Sequence, residues 1–168
     1  TRIETEAPAA KIIDACRKSR EITLEAWLVP DKASFKYVGY LFLLGEWNAP
    51  NAALLQGVST PAAGTYTAHL RTIATDAAAP SGLSTPKNLV DSRPAHLVYV
   101  RAASGQERLY VNGIPRAAGV RAGDFAAWSD DARLILGLEW LGEYRLVAVY
   151  SRALKESEVI RNFKLGTE

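Results

Sequence analysis

Two glutamates in the stretch EITLEAWLVP, residues 21–30, are spaced as a pair of carboxylates on one strand face. With the two-residue period of a β-strand, Glu21, Thr23 and Glu25 share one face and aliphatic residues occupy the other. Retaining hydrolysis of a glycosidic bond needs two carboxyl groups about 5–5.5 Å apart, one with a raised pKa. The backbones at Glu21 and Glu25 would lie about 13 Å apart at a rise of about 3.3 Å per residue. The pattern therefore favours a structural strand whose acids face water over a catalytic strand.

No other catalytic arrangement is visible. The sequence has no GxSxG, HExxH or phosphate-binding glycine loop, and His69 and His96 lie in separate strand-like runs. Cys16 is the single cysteine, so we interpret it as a small buried hydrophobe rather than a metal ligand or nucleophile. We predict that the protein is not an enzyme and needs no cofactor.

The composition indicates one ordinary globular domain over residues 1–168. Hydrophobic residues make up 48% and charged residues 23%, and the net charge of +2 is too small to indicate nucleic acid as a partner. No apolar run reaches the roughly 20 residues of a membrane span. The chain begins at Thr1 and contains no methionine, which indicates trimming and permits export. We expect a periplasmic or extracellular location.

The elements that must position these residues are mostly strands. Alternating or apolar runs predict strands at ITLEAWLV, YVGYLFLLG, TYTAHLRTI, AHLVYVRA, ERLYV, RLILGLE and GEYRLVAVYS. Asn112-Gly113 predicts a tight type I′ hairpin. Helical spacing predicts short helices in AAKIIDACRKS near the start and KESEVIRNFKLG at the end, and residues 76–94 and 119–132 are predicted as long loops. The fold class is all-β, an antiparallel sandwich with a short N-terminal and a short C-terminal helix.

Three blocks carry a family resemblance. ITLEAWLVP, HLVYVRAASGQERLYVNGI and WLGEYRLVAVYSRALKESEVIRNFKLG resemble, in order, a strand, a hairpin and the closing strand and helix of bacterial laminin-G-like, concanavalin A-like jelly-roll modules. The resemblance implies the jelly-roll fold, and sandwiches of this shape serve as lectins, adhesion modules and glycosidases. EITLE is also similar to the EIDIE motif of retaining β-glucanases, with Thr23 in place of the central acid. In many members the closing strand has an Asp that helps to hold calcium; Arg145 stands at that place, which disfavours calcium.

The same resemblance implies that the chain lacks the usual first strand of the module. That strand pairs near the closing strand in the family, so an unpaired edge is expected at GEYRLVAVYS. Either residues 1–8 fold back over this edge or a partner protein adds a strand to it. Pro8 and the alternating acids make residues 1–8 a poor strand, which favours the partner.

Aromatic loop residues supply the candidate contacts. Trp47 with Asn48, and Trp128 with Asp130 and Asp131, are predicted in loops, whereas the other two tryptophans are interpreted as packing residues. The predicted function is a non-catalytic interaction module, an accessory subunit docked on the protein subunits of a larger exported or membrane-associated assembly. A carbohydrate-binding, lectin-like module with a glycan ligand is the alternative. A more remote alternative is a β-glucanase-type glycoside hydrolase that uses Glu21 and Glu25.

Overall fold

The computed structural model describes residues 2–33, 38–57, 64–75 and 82–166. Strands dominate these residues, with one helix before and one after most of them. The elements are β1 Ile3–Glu4, α1 Ala10–Ser19, β2 Ile22–Pro30, β3 Gly39–Glu46, β4 Ala49–Gly57, β5 Thr65–Leu70, β6 Leu83–Ser84, β7 Ala95–Arg101, β8 Gln106–Val111, β9 Ile114–Val120, β10 Leu134–Leu138, β11 Gly142–Tyr150 and α2 Glu156–Leu165.

The strands of the described ranges form two antiparallel sheets packed face to face. The six-stranded sheet has the order β1-β10-β3-β4-β5-β6, and the five-stranded sheet has the order β11-β2-β7-β8-β9. Alternate residues of each strand point into the space between the sheets; Leu24 and Leu28 of β2, Leu97 of β7 and Leu54 of β4 are all buried in this core. The predicted all-β sandwich is confirmed.

Strand β4 is the longest element that the sequence pattern did not predict. The two-residue strands β1, in the stretch judged a poor strand, and β6, inside the predicted loop 76–94, were also missed. Its residues APNAALLQG include alanine, asparagine, proline and glycine, which have low β propensity. In the structure β4 lies between β3 and β5 and is buried along nearly its whole length. Small residues are accommodated there because packing against neighbouring strands outweighs local propensity. The predicted strand YVGYLFLLG begins at Tyr37, which lies outside the described residues. Residues 76–81 of the predicted loop 76–94 also lie outside them.

The turn after β8 has the geometry that Asn112-Gly113 predicts. Both residues have positive φ, 54° and 74°, and Val111 pairs with Ile114 across the turn. Gly113 is also covered by α2, because a Cβ atom built there would lie 3.0 Å from Cδ1 of Phe163. A side chain at position 113 would therefore meet both an unfavourable backbone conformation and a steric contact.

The two helices occupy different places, and both were predicted. Helix α1 buries Ile13 and Cys16 against the core between the sheets. Helix α2 lies on the outer face of the five-stranded sheet, where Val159 packs with Val98 and Val100. Its first turn is capped by Glu158, whose carboxylate accepts the Lys155 backbone N–H at 2.8 Å. No helix within the described ranges is long and apolar enough to cross a membrane.

Candidate binding edge of the five-stranded sheet

Strand β11 is an edge strand. Eight of its residues pair with β2, from Gly142 opposite Pro30 to Tyr150 opposite Thr23, and within the described residues no strand pairs on its other side. Residues 2–8 do not cover it: Ile3 and Glu4 pair with β10 and form an edge of the other sheet. The expectation that the first residues fold back over this edge is therefore wrong. Every second N–H and C=O of an edge strand points away from its neighbour.

A bulge divides this edge. The register with β2 shifts between Tyr144 and Leu146, so Arg145 is an extra residue in the ladder, and its Nε donates to Glu143 Oε1 at 3.1 Å. Bulges and charges on an edge strand hinder unwanted pairing with other chains. They protect the first half of β11. The second half, Leu146 to Tyr150, carries only apolar and aromatic side chains and is regular.

Helix α1 lies beside this second half. Lys11, Ile12, Ala15 and Cys16 of α1, together with Val149 and Ser151, line a cleft of about 200 Å³. The helix is held in place by Arg17, which donates to the carbonyls of Phe125 and Trp128 and pairs with Asp130. The cleft therefore has one wall from α1 and one from the edge strand.

Trp47 and Asn48, predicted as contact residues, are on the surface. They form the tight turn between β3 and β4, and Trp47 is 65% exposed. The Tyr40 hydroxyl donates to the Trp47 carbonyl oxygen at 3.1 Å, which fixes the turn backbone while leaving the indole ring accessible. This turn joins two strands of the six-stranded sheet, whereas β11 belongs to the five-stranded sheet.

Trp128, the other predicted aromatic contact, is buried instead. It is 3% exposed, its ring stacks on Phe125 at 4.5 Å between centroids, and its Nε1 donates to the Arg71 carbonyl at 2.8 Å. The nearby Asp130 is 79% exposed and pairs with Arg17, and Asp131 is also exposed. Among the described residues no group of three or more His, Cys, Asp or Glu is placed to hold a metal ion. In this loop Trp128 therefore seals the core, and Asp130 anchors α1 through Arg17.

Glu25 does not face water, contrary to the expectation from the alternating pattern. Its side chain is 3% exposed because α2 and the segment before it cover this face of the sheet. Oε1 lies 2.7 Å from His96 Nε2, and Oε2 accepts the Tyr150 hydroxyl at 2.8 Å. The Asn162 side-chain amide donates to both carboxylate oxygens at 3.1 and 3.2 Å. Trp27 stacks on His96 with centroids 4.9 Å apart.

The electrostatics of this network are those of a structural carboxylate. Burial by itself would raise the pKa of Glu25, but the hydrogen bonds from His96, Tyr150 and Asn162 outweigh burial and hold the pKa below its ordinary value of 4.5. The general acid of a glycosidase needs the opposite shift and access to substrate. Glu21 is also engaged, since its carboxylate accepts the backbone N–H groups of Ala103 and Ala153 at 3.2 and 3.0 Å. The two glutamates therefore hold loops and α2 in place.

No sequence signal identified the partners of Glu25. His96, Tyr150 and Asn162 are 71, 125 and 137 residues away along the chain. They meet Glu25 only because β7 and β11 flank β2 and α2 crosses the same face. A second buried network, in which Tyr99 and Arg121 both bond Glu107 at 2.7 and 2.9 Å, was missed for the same reason.

The two-sheet sandwich, its covering helix and its accessible edges define a jelly-roll domain of the lectin-like class. The family Laminin_G_3, described as the concanavalin A-like lectin/glucanases superfamily, matches residues 5–160. The chain belongs to this family, as its sequence indicates. No curated protein sequence matches it.

Solved structures with the same fold include binding domains. The chain is similar to a CBM40 of the Ruminococcus gnavus IT-sialidase bound to α2,3-sialyllactose, with a TM-score of 0.68, 16% identity and 95% of each chain covered. It is similar to the binding domain of botulinum neurotoxin serotype C1, with a TM-score of 0.72, 7% identity and 98% of this chain against 43% of that one covered. A heptameric SAP-like pentraxin from Limulus polyphemus has a TM-score of 0.61, 19% identity and coverage of 84% and 69%. At these identities the likeness describes the fold alone.

Proposed function

We propose that this domain is a non-catalytic interaction module that docks, as an accessory or structural subunit, on a larger exported or membrane-associated protein assembly. The observation that carries the proposal is the one-sided pairing of β11, whose second half is regular and apolar. Main-chain hydrogen bonds from an added strand give affinity at such an edge, and alternate side chains give specificity. The partner in this proposal is a protein that contributes an extended segment.

The non-catalytic part of the proposal is supported by the state of the two glutamates. Glu25 is buried with a lowered pKa and Glu21 is bonded to two backbone N–H groups, so neither is available as an acid or nucleophile. The β-glucanase alternative has no support from this geometry.

Residue-resolved amide exchange of the isolated chain tests the open edge. We expect alternation between Leu146 and Tyr150: amides that bond β2 exchange slowly, and the intervening amides exchange as fast as those of an unpaired strand. Uniformly slow exchange in a monomer would mean that the edge is already satisfied within the chain. The proposal would then be wrong.

Site-specific photo-crosslinking tests the docking itself. A photoreactive residue at Ala148 on β11 is compared with one at Ala118 on β9, the opposite edge of the same sheet, in cells that produce the protein. We expect a single protein adduct from position 148, at the stoichiometry of a subunit, and none from position 118. Equal labelling at the two positions would indicate non-specific contacts and contradict docking through β11.

Glycan binding is a second candidate, supported by the exposed ring of Trp47 beside Asn48. The CBM40 structure that the chain resembles over 95% of its length is bound to a sialylated sugar. An aromatic platform next to an amide is the kind of arrangement that sugar recognition needs. A glycan array followed by calorimetry tests it, with Trp47→Ala expected to abolish binding and Trp128→Phe to leave it unchanged. Unaltered glycan binding by Trp47→Ala would exclude this turn as the site.

A further inference from the structure

The cleft between α1 and β11 lies where a strand added to the edge would place its inward side chains. Val147 and Val149 of β11 point into the core between the sheets. An added strand runs about 4.8 Å from β11, and its residues alternate between the two faces of the sheet in step with those of β11. The residue beside Val149 would therefore point toward α1, into the cleft.

The lining of the cleft selects the chemistry of that residue. Ile12, Ala15 and Val149 present aliphatic groups, the fully buried Cys16 completes the lining, and the volume of about 200 Å³ is enough for one aliphatic side chain. Burial raises the pKa of the Cys16 thiol to about 12, so this group stays uncharged and acts as part of an apolar wall.

The mouth of the cleft carries a positive charge. Lys11 lines it, is exposed, and forms no ion pair within the described part of the chain. A residue two positions along an added strand returns to the same face and reaches this side of the cleft. A carboxylate is the complementary group there.

We infer that the partner of β11 is an extended segment with one aliphatic residue beside Val149 and an acidic residue two positions away, on the α1 side. This rests on the proposed docking through β11 and names the chemistry of the docked segment. The aliphatic side chain fills the cleft, the acid pairs with Lys11, and the main chain continues the five-stranded sheet.

Blocked eight-residue peptides of alternating threonine and valine test this, titrated into the ¹⁵N-labelled chain of residues 1–168. The first carries leucine at the cleft position and glutamate two residues away; the second replaces leucine with threonine; the third replaces glutamate with lysine. We expect the first to bind at least about tenfold tighter than the second, because an aliphatic side chain is buried. It should bind about threefold tighter than the third, as for a rim ion pair.

Two chain variants and a control sharpen the test. Lys11→Glu should reverse the preference between the glutamate and lysine peptides, whereas Lys18→Glu, the same change elsewhere on α1, should not. Ala15→Leu fills the cleft and should abolish the preference for leucine over threonine. Sedimentation of the chain alone distinguishes a second copy as the occupant, and dimerisation that protects β11 would contradict the inference.

The outcomes separate the two proposals. Peptides that protect the outward β11 amides without any preference would overturn the inference about the cleft and leave strand addition standing. Uniformly slow β11 amides in the monomer would overturn both. A third outcome is that the outward β11 amides exchange rapidly but no peptide binds at millimolar concentration. This result would also overturn the inference, since the cleft would then add nothing to edge pairing.

Discussion

Replacing Glu25 by glutamine should destabilise the domain strongly, although the substitution keeps the shape of the side chain. The carboxylate accepts from His96, Tyr150 and Asn162, and glutamine offers one oxygen and turns an NH₂ group toward the remaining donors. Hydrogen bonds to a charged group contribute about 1.5–3 kcal/mol each, and a buried donor left without an acceptor costs about 1–3 kcal/mol. With partial relaxation of the network, we expect a loss of about 2–4 kcal/mol in the free energy of unfolding. If Glu25 faced water, as the alternating pattern indicates, the same substitution would change the free energy of unfolding by no more than about 0.5 kcal/mol.

Urea unfolding followed by circular dichroism measures this loss, with Glu21→Gln as the matched control. Glu21 lies four residues earlier, carries the same charge and is half-buried, and its partners are two backbone N–H groups near the surface. We expect less than about 1 kcal/mol for the control, as for a partly solvated hydrogen bond. A loss of about 3 kcal/mol should lower the melting temperature by about 6–12 °C in a domain of this size.

The pH dependence gives an independent check. Because the pKa of Glu25 is lower in the folded protein than its ordinary value of 4.5, its contribution to stability is fully present above that value. It is lost as the pH falls through the folded pKa. The difference between wild type and Glu25→Gln should therefore be constant near neutral pH and shrink in acid below the ordinary value. Equal stability of wild type, Glu21→Gln and Glu25→Gln at pH 7 would refute the buried network.

Two further predictions concern packing. Gly113→Val should cost at least about 2 kcal/mol, because position 113 has φ of 74° and lies against Phe163; a melting temperature equal to that of the exposed control Ile114→Val would contradict this. Cys16 is fully buried and burial raises its thiol pKa to about 12, so Ellman's reagent should react with it only at the rate of unfolding. Rapid labelling of the native protein would show that α1 detaches from the core.

Local pattern was sufficient for most elements because it depends on neighbours along the chain. Alternation predicted the strands around ITLEAW and HLVYV, Asn112-Gly113 fixed a hairpin whose two positive φ angles only such residues adopt readily, and helical spacing located both helices. The missed strand β4 lacks that information: alanine and asparagine form a strand there because β3 and β5 hold them on both sides.

The candidate site depended more on the fold. The family resemblance predicts an open edge at β11, but only the structure placed Ile3 and Glu4 on β10 and brought α1 beside Val149 to form the cleft. Trp47 and Trp128 both occupy predicted loops, and nothing in their neighbouring residues distinguishes the exposed ring from the buried one. Exposure of a loop aromatic depends on what the loop packs against.

By itself, the sequence determined that the chain forms two packed sheets with a helix before and after them, since these features follow from residue periodicity and turn chemistry. Tertiary structure alone decided which polar faces meet water. Glu21, Thr23 and Glu25 form a polar strand face by pattern, yet that face is covered by α2 and its preceding segment, whose Asn162 lies 137 residues from Glu25. The two-residue period of a strand shows which residues share a face. Which of the two faces another element covers is decided by contacts between segments distant in the chain, and these contacts leave no local signal in the sequence.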